Sequence, residues 1–480
     1  MAAIITEKFR QINAAQFEES FSETNENYYM FVGKSTPFTS GTSGGSDTSP
    51  PTPVDDITSE NYRWDSMLGA NAIAASDVSR GVPRRTYTSG TTYDMYEHNI
   101  SAANPSNQTG ASNLFDSTFF FITSDFRVYK VLYNLNSSGN KIALTTTQVD
   151  KFLTTDFMAV ATDSTVSSGA VTTSTDSAPF NGAPIDTFLV TSQGSGYPDG
   201  TYYVKVAGDG SGAILKVVVS SNVITRFGET GVSSVQAGGS KYTFATVDLA
   251  GTNVYTDTGA TSLISGSTLS TWNSATAGTI TPTISPQVGH GHDAVEELGG
   301  HFVILNTKFE QEEGNDITVA NDFRQVGIMK NPTQFNSSTL FTASTARNTY
   351  AIYIPSPSGD FDADEKITQA STGAVGRVVE WDATNKILYY QQERFTNYGV
   401  NTASNTVLFS GANAITGADS SATGTPSSTS SETVDSIAFS SGYANPEMHP
   451  DSGDIIYIEN RRPISRASDQ TEDVKIIVEF

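Results

Sequence analysis

The apolar residues of this chain come in short runs broken by Gly, Ser and Thr, and this pattern limits the folds it can adopt. Phe119–Tyr133 is dense in aromatic and β-branched residues, and Phe302–Phe309 reads Phe-Val-Ile-Leu-Asn-Thr-Lys-Phe. Such runs are typical of strands, whereas a long helix needs a sustained helical period. With 40 Gly and 16% charged residues, the chain is predicted to be mainly β, a β-sandwich core with a few short helices and two inserted small β modules.

The end of the chain carries the clearest strand pattern. Val474, Ile476, Val478 and Phe480 alternate with more polar positions. This period of two predicts a strand with one face on a core. We therefore expect the core to need this strand.

Helical signals are few. The segment Thr6–Phe21 places aromatic residues loosely on one face, and a second candidate follows Ser59, with Trp64, Met67 and Leu68 at helical spacing. A third, very short helix is predicted after Asp293, because an N-cap Asp is followed three residues later by Glu296 and then by the helix-stopping pair Gly299-Gly300.

The length of 480 residues predicts several sub-domains. Glycine turns alternate with short strands in two modules, and the stretch Ala418–Thr433 is so rich in Ser, Thr, Gly and Ala that it predicts a linker; Thr39–Pro53 predicts a flexible loop. The predicted segments are an N-terminal part of the core at 1–160, a Gly-rich module at 184–249, central core strands at 286–336, a second module at 350–416, a Ser/Thr linker at 417–440 and C-terminal core strands at 441–480.

Charge and composition exclude several classes of partner. The 51 acidic residues against 27 basic ones give a net charge of −24, which repels nucleic acid and anionic membrane surfaces. The absence of Cys rules out disulfides and thiolate metal sites. The N-terminus has no signal-peptide pattern and no run has the length of a membrane span, so a protein made in the cytoplasm is expected.

Two groups of residues are candidates for metal binding, and each has a simpler explanation. His290, His292 and Asp293 lack a fourth ligand, and Asp293 is better placed to cap its helix. The acids from Asp360 to Asp364 resemble the start of a calcium loop, but Glu365 occupies the position that needs glycine. We therefore predict no metal and no cofactor.

Catalytic motifs are also incomplete. No Ser lies in a Gly-x-Ser-x-Gly elbow between strand and helix signals, and the Gly runs lack the context of a dinucleotide site. Glycoside hydrolysis by a pair of carboxylates is left as an alternative, because the distance between the two groups depends on the fold and not on their positions in the sequence. A non-catalytic protein is the favoured interpretation.

Charge and aromatic residues concentrate near Tyr457, where Arg461 and Arg462 follow a strand and precede Pro463. The two arginines are candidate interface or structural residues. They either pair with groups of their own fold or meet an acidic neighbour across an interface, and the sequence favours neither.

Several short blocks lie in a fixed order over roughly 1–160, 286–336 and 441–480. They include Val82–Arg85, Glu297–Gly300, Asn306-Thr307, Phe309-Glu310, Phe323–Gln325, Asn331-Pro332, Ser452-Gly453, Tyr457, Glu459–Arg461, Pro463-Ile464, Asp469–Glu472 and the terminal Phe480. This ordered set resembles the baseplate wedge subunit of T-even-type contractile-tailed phages. The resemblance implies a non-catalytic homodimer in the tail baseplate of the virion, in contact with other wedge subunits. The acidic, loop-rich character points to a marine cyanobacterial phage.

A second hypothesis starts from the two β modules. Trp381, Tyr389 and Tyr390 lie in the second module and would form an aromatic platform for sugars if they were exposed. The chain would then be a tail protein that binds or cleaves host-surface glycans. Core packing is the favoured interpretation of these three residues, because small modules need their large apolar side chains inside.

Overall fold

A computed structural model describes residues 5–38, 45–135, 139–141, 143–144, 183–227, 233–250, 253–256, 272, 276–286, 293–309, 321–394, 398–402, 405–465 and 471–480. The fold is mainly β, as predicted. It divides into two compact units, each built from two segments of the chain. Unit 1 comprises Met1–Gln11 and Gly81–His301, and unit 2 comprises Ile12–Arg80 and Phe302–Phe480.

The helices are short, and strands make up most of the regular structure. The described helices are α1 (Glu7–Ser20), α2 (Ile57–Asp65), α3 (Ala294–Glu297) and two 3₁₀ turns, Ala75–Asp77 and Leu114–Asp116. The first three strands are β1 (Tyr28–Gly33), β2 (Met67–Ala72) and β3 (Val78–Gly81). Unit 1 adds β4 (Phe120–Ile122), β5 (Val128–Lys130), β6 (Ile185–Ser192), β7 (Gly200–Gly208), β8 (Ser211–Ser220), β9 (Val223–Ile224), β10 (Ser234–Ser240), β11 (Ala245–Val247), β12 (Val254–Tyr255) and β13 (Thr279–Ile284).

The remaining strands belong to unit 2. They are β14 (Phe302–Phe309), β15 (Asp322–Lys330), β16 (Thr345–Arg347), β17 (Tyr350–Tyr353), β18 (Lys366–Gln369), β19 (Ala374–Asp382), β20 (Ile387–Gln391), β21 (Val400–Thr402), β22 (Asn405–Thr406), β23 (Ile415–Gly417), β24 (Thr423–Gly424), β25 (Glu432–Val434), β26 (Ile437–Phe439), β27 (Tyr443–Ala444), β28 (Asp454–Ser465) and β29 (Glu472–Glu479).

Unit 2 is built on a five-stranded sheet in the order β16-β2-β1-β15-β28. Strand β1 is apolar along nearly its whole length because both faces of this sheet are covered. Met30 and Val32 face one core cluster, whereas Tyr29 and Phe31 face a second cluster that includes Trp64. All of these side chains are buried.

A three-stranded sheet, β29-β14-β3, forms the second layer. Val303 and Leu305 of β14 and Ile476 of β29 share a core cluster with Met30 and Ile328 of the five-stranded sheet. Face-to-face packing of two sheets through alternate residues is the geometry of a β-sandwich. Both predicted strands, at 302–309 and 474–480, lie in this layer.

The predicted second module is not an independent insert. Its strands belong to a seven-stranded sheet, β24-β23-β18-β19-β20-β17-β27, with its own core around Ile352 and Leu388. Its other face contributes Ala351, Ile387 and Tyr389 to the core cluster of the sandwich. The segment 350–416 is therefore part of the same hydrophobic core.

The linker prediction for 417–440 is wrong. This segment supplies β24 to the seven-stranded sheet and forms the hairpin of β25 and β26, and Ala422 is 2% exposed. The carboxylate of Glu365 accepts hydrogen bonds from the backbone N–H groups of Asp419 and Ser420 and from the Ser420 hydroxyl. Polar contacts to one buried acid thus hold a segment whose composition lacks large apolar residues.

One other expectation in unit 2 is wrong. The second helix ends at Asp65, and Met67 and Leu68 begin β2 instead, where both are buried in the sheet. The structure describes the predicted loop Thr39–Pro53 from residue 45 onward. In that part, the Asp47 carboxylate accepts hydrogen bonds from the Arg324 guanidinium. The part at 39–44 lies outside the described residues.

Unit 1 contains the Gly-rich module. Strands β7 and β8 form the centre of a six-stranded sheet, and β6 pairs with β13. Trp272 and Ile280 pack in the same core as Phe188, Val204 and Leu215, so this core extends beyond the predicted boundary at 249. The run Phe119–Tyr133 forms the hairpin of β4 and β5.

A buried ion pair lies beside this hairpin in unit 1. Lys130 forms a salt bridge with Glu297 at the end of α3, and its ammonium lies 3.6 Å from the centre of the Tyr96 ring. Burial lowers the pKa of Lys130 to about 8, although Glu297 opposes the shift. The helix itself begins as predicted, because the Asp293 carboxylate accepts a hydrogen bond from the Glu296 N–H.

Candidate protein interface at the C-terminal strands

Strand β28 is the edge strand that carries the two candidate arginines. It pairs with β15 on one side only, within the part of the chain that the structure describes. The pairing is interrupted at two places. Tyr457 and Ile455 face consecutive residues of β15, so Ile456 is an extra residue, and the three residues 461–463 lie opposite Arg324 alone.

Arg461, Arg462 and Pro463 lie in the second of these irregularities, and all three are exposed. The Arg461 guanidinium donates to the Glu459 carboxylate at 3.1 Å, and its side chain is 47% exposed. Arg462 is exposed beside it on the same bulge. Both arginines are therefore accessible to a partner, and Arg461 has only a residue of its own strand within salt-bridge distance among the described residues.

Bulges, arginines and a proline are the features by which proteins prevent an edge strand from pairing with another chain. Strand β28 has all three between Ile456 and Pro463. This edge consequently presents side chains to a partner instead of a regular row of backbone hydrogen-bonding groups.

A polar network fixes the back of β28. The side chain of Asn460 accepts a hydrogen bond from Gln325 and donates one to the Pro51 carbonyl, both at 2.8 Å. Next to it, buried Arg324 bonds Asp47 and Asp322 at 3.0 and 3.2 Å. The Arg324 guanidinium lowers the pKa of the Asp47 carboxyl, because it stabilises the charged form.

Arg324 and Asn460 were not singled out as functional residues by the sequence analysis. Both lie in blocks that carry the resemblance, Phe323–Gln325 and Glu459–Arg461. That coincidence is the one signal that could have identified them. Neither side chain is exposed: Asn460 directly precedes the bulge, and Arg324 lies opposite it.

Strand β29 is the edge of the other sheet, and it is regular. Its eight residues pair with β14 from Phe302↔Glu479 to Phe309↔Glu472 without a register shift. Ile476 is 4% exposed and Ile477 is 62% exposed, as the alternation predicts. The ring of Phe480 lies 5.4 Å from that of Phe17.

The described members of the other candidate sites have separate partners. His290 and His292 lie outside the described residues, and Asp293 caps α3. Asp360 accepts a hydrogen bond from the indole of Trp381 at 2.8 Å, and Asp364 pairs with Arg377 at 3.3 Å. In the described ranges, no group of three or more His, Asp or Glu residues is arranged to hold a metal ion.

The three residues of the predicted aromatic platform do not form an exposed surface for sugars. Tyr389 and Tyr390 are 5% and 2% exposed, and Trp381 packs edge-on against Phe361 with ring centres 5.4 Å apart. Burial raises the pKa of both tyrosines. Tyr390 fills the core of the seven-stranded sheet with Trp381 packed against it, and Tyr389 lies in the core cluster of the sandwich, so all three residues take part in core packing.

None of the described helices is long and apolar enough to span a membrane.

No curated protein matches the chain. One family model, described as Bacteriophage T4, Gp8, matches residues 423–480, about an eighth of the chain. This stretch contains both β28 and β29 in full. The C-terminal part of the chain is thus similar to the baseplate wedge proteins of T4-like phages.

Proposed function

We propose that this chain is a structural subunit of the baseplate wedge of a contractile phage tail, where it binds other wedge subunits and a second copy of itself. In this role it catalyses no reaction and needs no cofactor. It is made and assembled in the host cytoplasm and resides in the tail baseplate of the virion. The acidic composition favours a phage of marine cyanobacteria as the source of the chain.

The observation that carries this proposal is the position of the matched residues. They contain the two long strands at the open edges of the sandwich in unit 2. Sheet edges are where one folded chain can add contacts to another without changing its own core. A matched segment that coincides with these edges favours a role in assembly.

The mechanism is geometric. Asn460 of β28 accepts a hydrogen bond from Gln325 and donates one to the Pro51 carbonyl, and these bonds hold the strand next to the bulge at 461–463. A rigid interface loses little conformational entropy when it binds. The exposed Arg461 and Arg462 offer planar guanidinium groups, which suit bidentate pairing with carboxylates of an acidic neighbour.

The test is reconstitution of the wedge. The chain would be co-expressed with the other wedge subunits encoded by the same phage, and the complex would be purified and weighed by light scattering. We expect Arg461→Ala/Arg462→Ala to weaken its incorporation by about tenfold or more, since exposed arginines at interfaces are frequent hot spots. The isolated variant should melt like the parent chain, because both side chains are exposed.

Arg127→Ala is a matched control. Arg127 is 59% exposed in unit 1 and pairs with Asp125, two residues earlier, at 3.2 Å, just as Arg461 pairs with Glu459. It should leave incorporation unchanged. Failure of the unmodified chain to join any wedge complex would refute the proposed function, and equal effects of the two variants would remove the role of the arginines.

A further inference from the structure

Strand β29 has an edge that differs from the other sheet edges described in unit 2. Strand β28 is bulged, and the outer strands β16, β24, β27 and β3 have only two to four residues each. Strand β29 has eight residues, pairs without a shift and contains no Pro. Within the described residues it pairs with β14 alone. An unprotected regular edge presents a row of backbone donors and acceptors to another strand.

We propose that β29 pairs antiparallel with β29 of a second copy, about a two-fold axis that passes through Ile477. This deepens the proposed function, on which it rests, by assigning the surface of the self-association. The two three-stranded sheets then join into one six-stranded sheet.

The side chains of β29 are self-complementary in this register. Lys475 lies opposite Glu479 of the second copy, and the same pair repeats on the other side of the axis. On the inward face, Ile476 meets Val478 of the second copy and Val474 meets Phe480. Opposite charges and apolar residues directly across an antiparallel pair stabilise it.

Neighbouring registers lose this complementarity. An axis at Ile476 puts Asp473 opposite Glu479 of the second copy, and an axis at Lys475 puts two lysines face to face. An axis between two residues would set inward side chains opposite outward ones, whereas residues directly opposite in an antiparallel pair point to the same face. The register centred on Ile477 is therefore favoured.

The exposed face of the sheet points to the same axis. Ile477 is 62% exposed and lies opposite Ile304 of β14. Pairing across the axis places the two Ile477 side chains next to each other, with an Ile304 on either side. The result is a row of four isoleucines that shield one another from water, which stabilises the pair.

The chain has no cysteine, so a disulfide can report the register directly. The full-length variant Ile477→Cys should form a disulfide-linked dimer on mild oxidation, because directly opposed residues have Cα atoms about 4.5–5.5 Å apart, within the range of a disulfide. Lys475→Cys and Glu479→Cys should each stay unlinked, since each thiol would be about 13 Å from its own copy. The double variant Lys475→Cys/Glu479→Cys should link. Non-reducing gels give the yields.

The control is Ile456→Cys, at an exposed isoleucine of β28, which should remain unlinked. A second measurement uses charge: Lys475→Glu should raise the dimer dissociation constant about tenfold, and adding Glu479→Lys should restore it. Light scattering over a dilution series measures both. This comparison is independent of the cysteine chemistry.

The outcomes are distinct. The proposed register would be overturned if Ile477→Cys formed no more disulfide-linked dimer than Ile456→Cys. It would also be overturned if Lys475→Cys or Glu479→Cys alone formed as much linked dimer as the double variant. If the chain still joined the wedge complex, the proposed function would survive without this interface. Conversely, specific linking in a chain that never joins a wedge would support the interface and refute the proposed function.

Discussion

At the scale of single residues, a few buried polar groups hold segments of the chain in place by hydrogen bonds, as apolar contacts do elsewhere in the molecule. Glu365 is 2% exposed and binds the Ser/Thr-rich segment through Asp419 and Ser420. In the sequence it appears only as the residue that spoils a calcium-loop pattern. Its role depends on a segment more than 50 residues away, which local spacing does not reveal.

Replacing this acid should loosen the segment it holds. We expect Glu365→Gln to lower the free energy of unfolding by about 1–3 kcal/mol, because the amide's N–H groups would face backbone donors. Urea denaturation measures the loss, and proteolysis should increase within Ala418–Thr433. Asp382→Asn, at a hairpin turn where Asp382 accepts bonds from Thr384 and Asn385, is the control and should lose less. Equal losses would contradict an anchoring role.

The same residue predicts a pH dependence. Burial by itself raises the pKa of the Glu365 carboxyl, but hydrogen bonds from Ser420, Asp419 and Asp362 outweigh burial and lower it below 4.5. The unfolded chain then binds the proton more readily than the folded chain. The stabilisation is therefore complete above pH 4.5 and is lost as the pH falls through the folded value, and Glu365→Gln should remove that part of the acid sensitivity.

At the scale of elements, the two C-terminal strands form sheet edges of two different kinds, one bulged and one regular. Strand β28 turns its arginines outward on a bulge, whereas β29 keeps a straight, regular edge. The alternation along β29 was evident in the sequence. The bulge in β28 was not, because a register shift depends on the strand opposite.

Adjacent isoleucines of β29 allow a sharp test of this alternation. Ile476→Ala should lower the free energy of unfolding by about 2–5 kcal/mol, because removal of a buried side chain leaves a cavity. Ile477→Ala should change the stability by no more than about 0.5 kcal/mol at concentrations where the chain is monomeric. Thermal and urea melts of the two variants give the comparison. Similar costs would show that β29 does not lie with one face on the core.

At the scale of the whole molecule, each unit is assembled from two separate segments of the chain. Unit 2 begins at Ile12, leaves at Arg80 and resumes at Phe302. The seven-stranded sheet lies within this second segment and shares its core with the sandwich through Ala351 and Tyr389. The sequence had predicted this part as an inserted small module.

The shared core predicts that the segment 350–416 is needed for the stability of unit 2. Removing 350–416 behind a Gly/Ser bridge should destabilise unit 2 by several kcal/mol, since it strips side chains from the sandwich core and removes the Arg394–Asp65 salt bridge of 2.7 Å. Removing 184–249 should leave the unfolding of unit 2 unchanged. Urea melts followed by Trp64 fluorescence, with the other tryptophans replaced by Phe, report on unit 2 alone. A harmless deletion of 350–416 would show that its sheet is independent.

The sequence by itself determined the local features of this protein. Short apolar runs and a period of two specify strands such as β14 and β29, and the Asp293 side chain specifies the start of α3, because these patterns act over a few residues. Only the tertiary structure decided which strands pair, which edges stay open and where the polar segment 417–440 lies. Those outcomes depend on contacts between residues far apart in the chain, such as β15 with β28, and local periodicity carries no information about the partner.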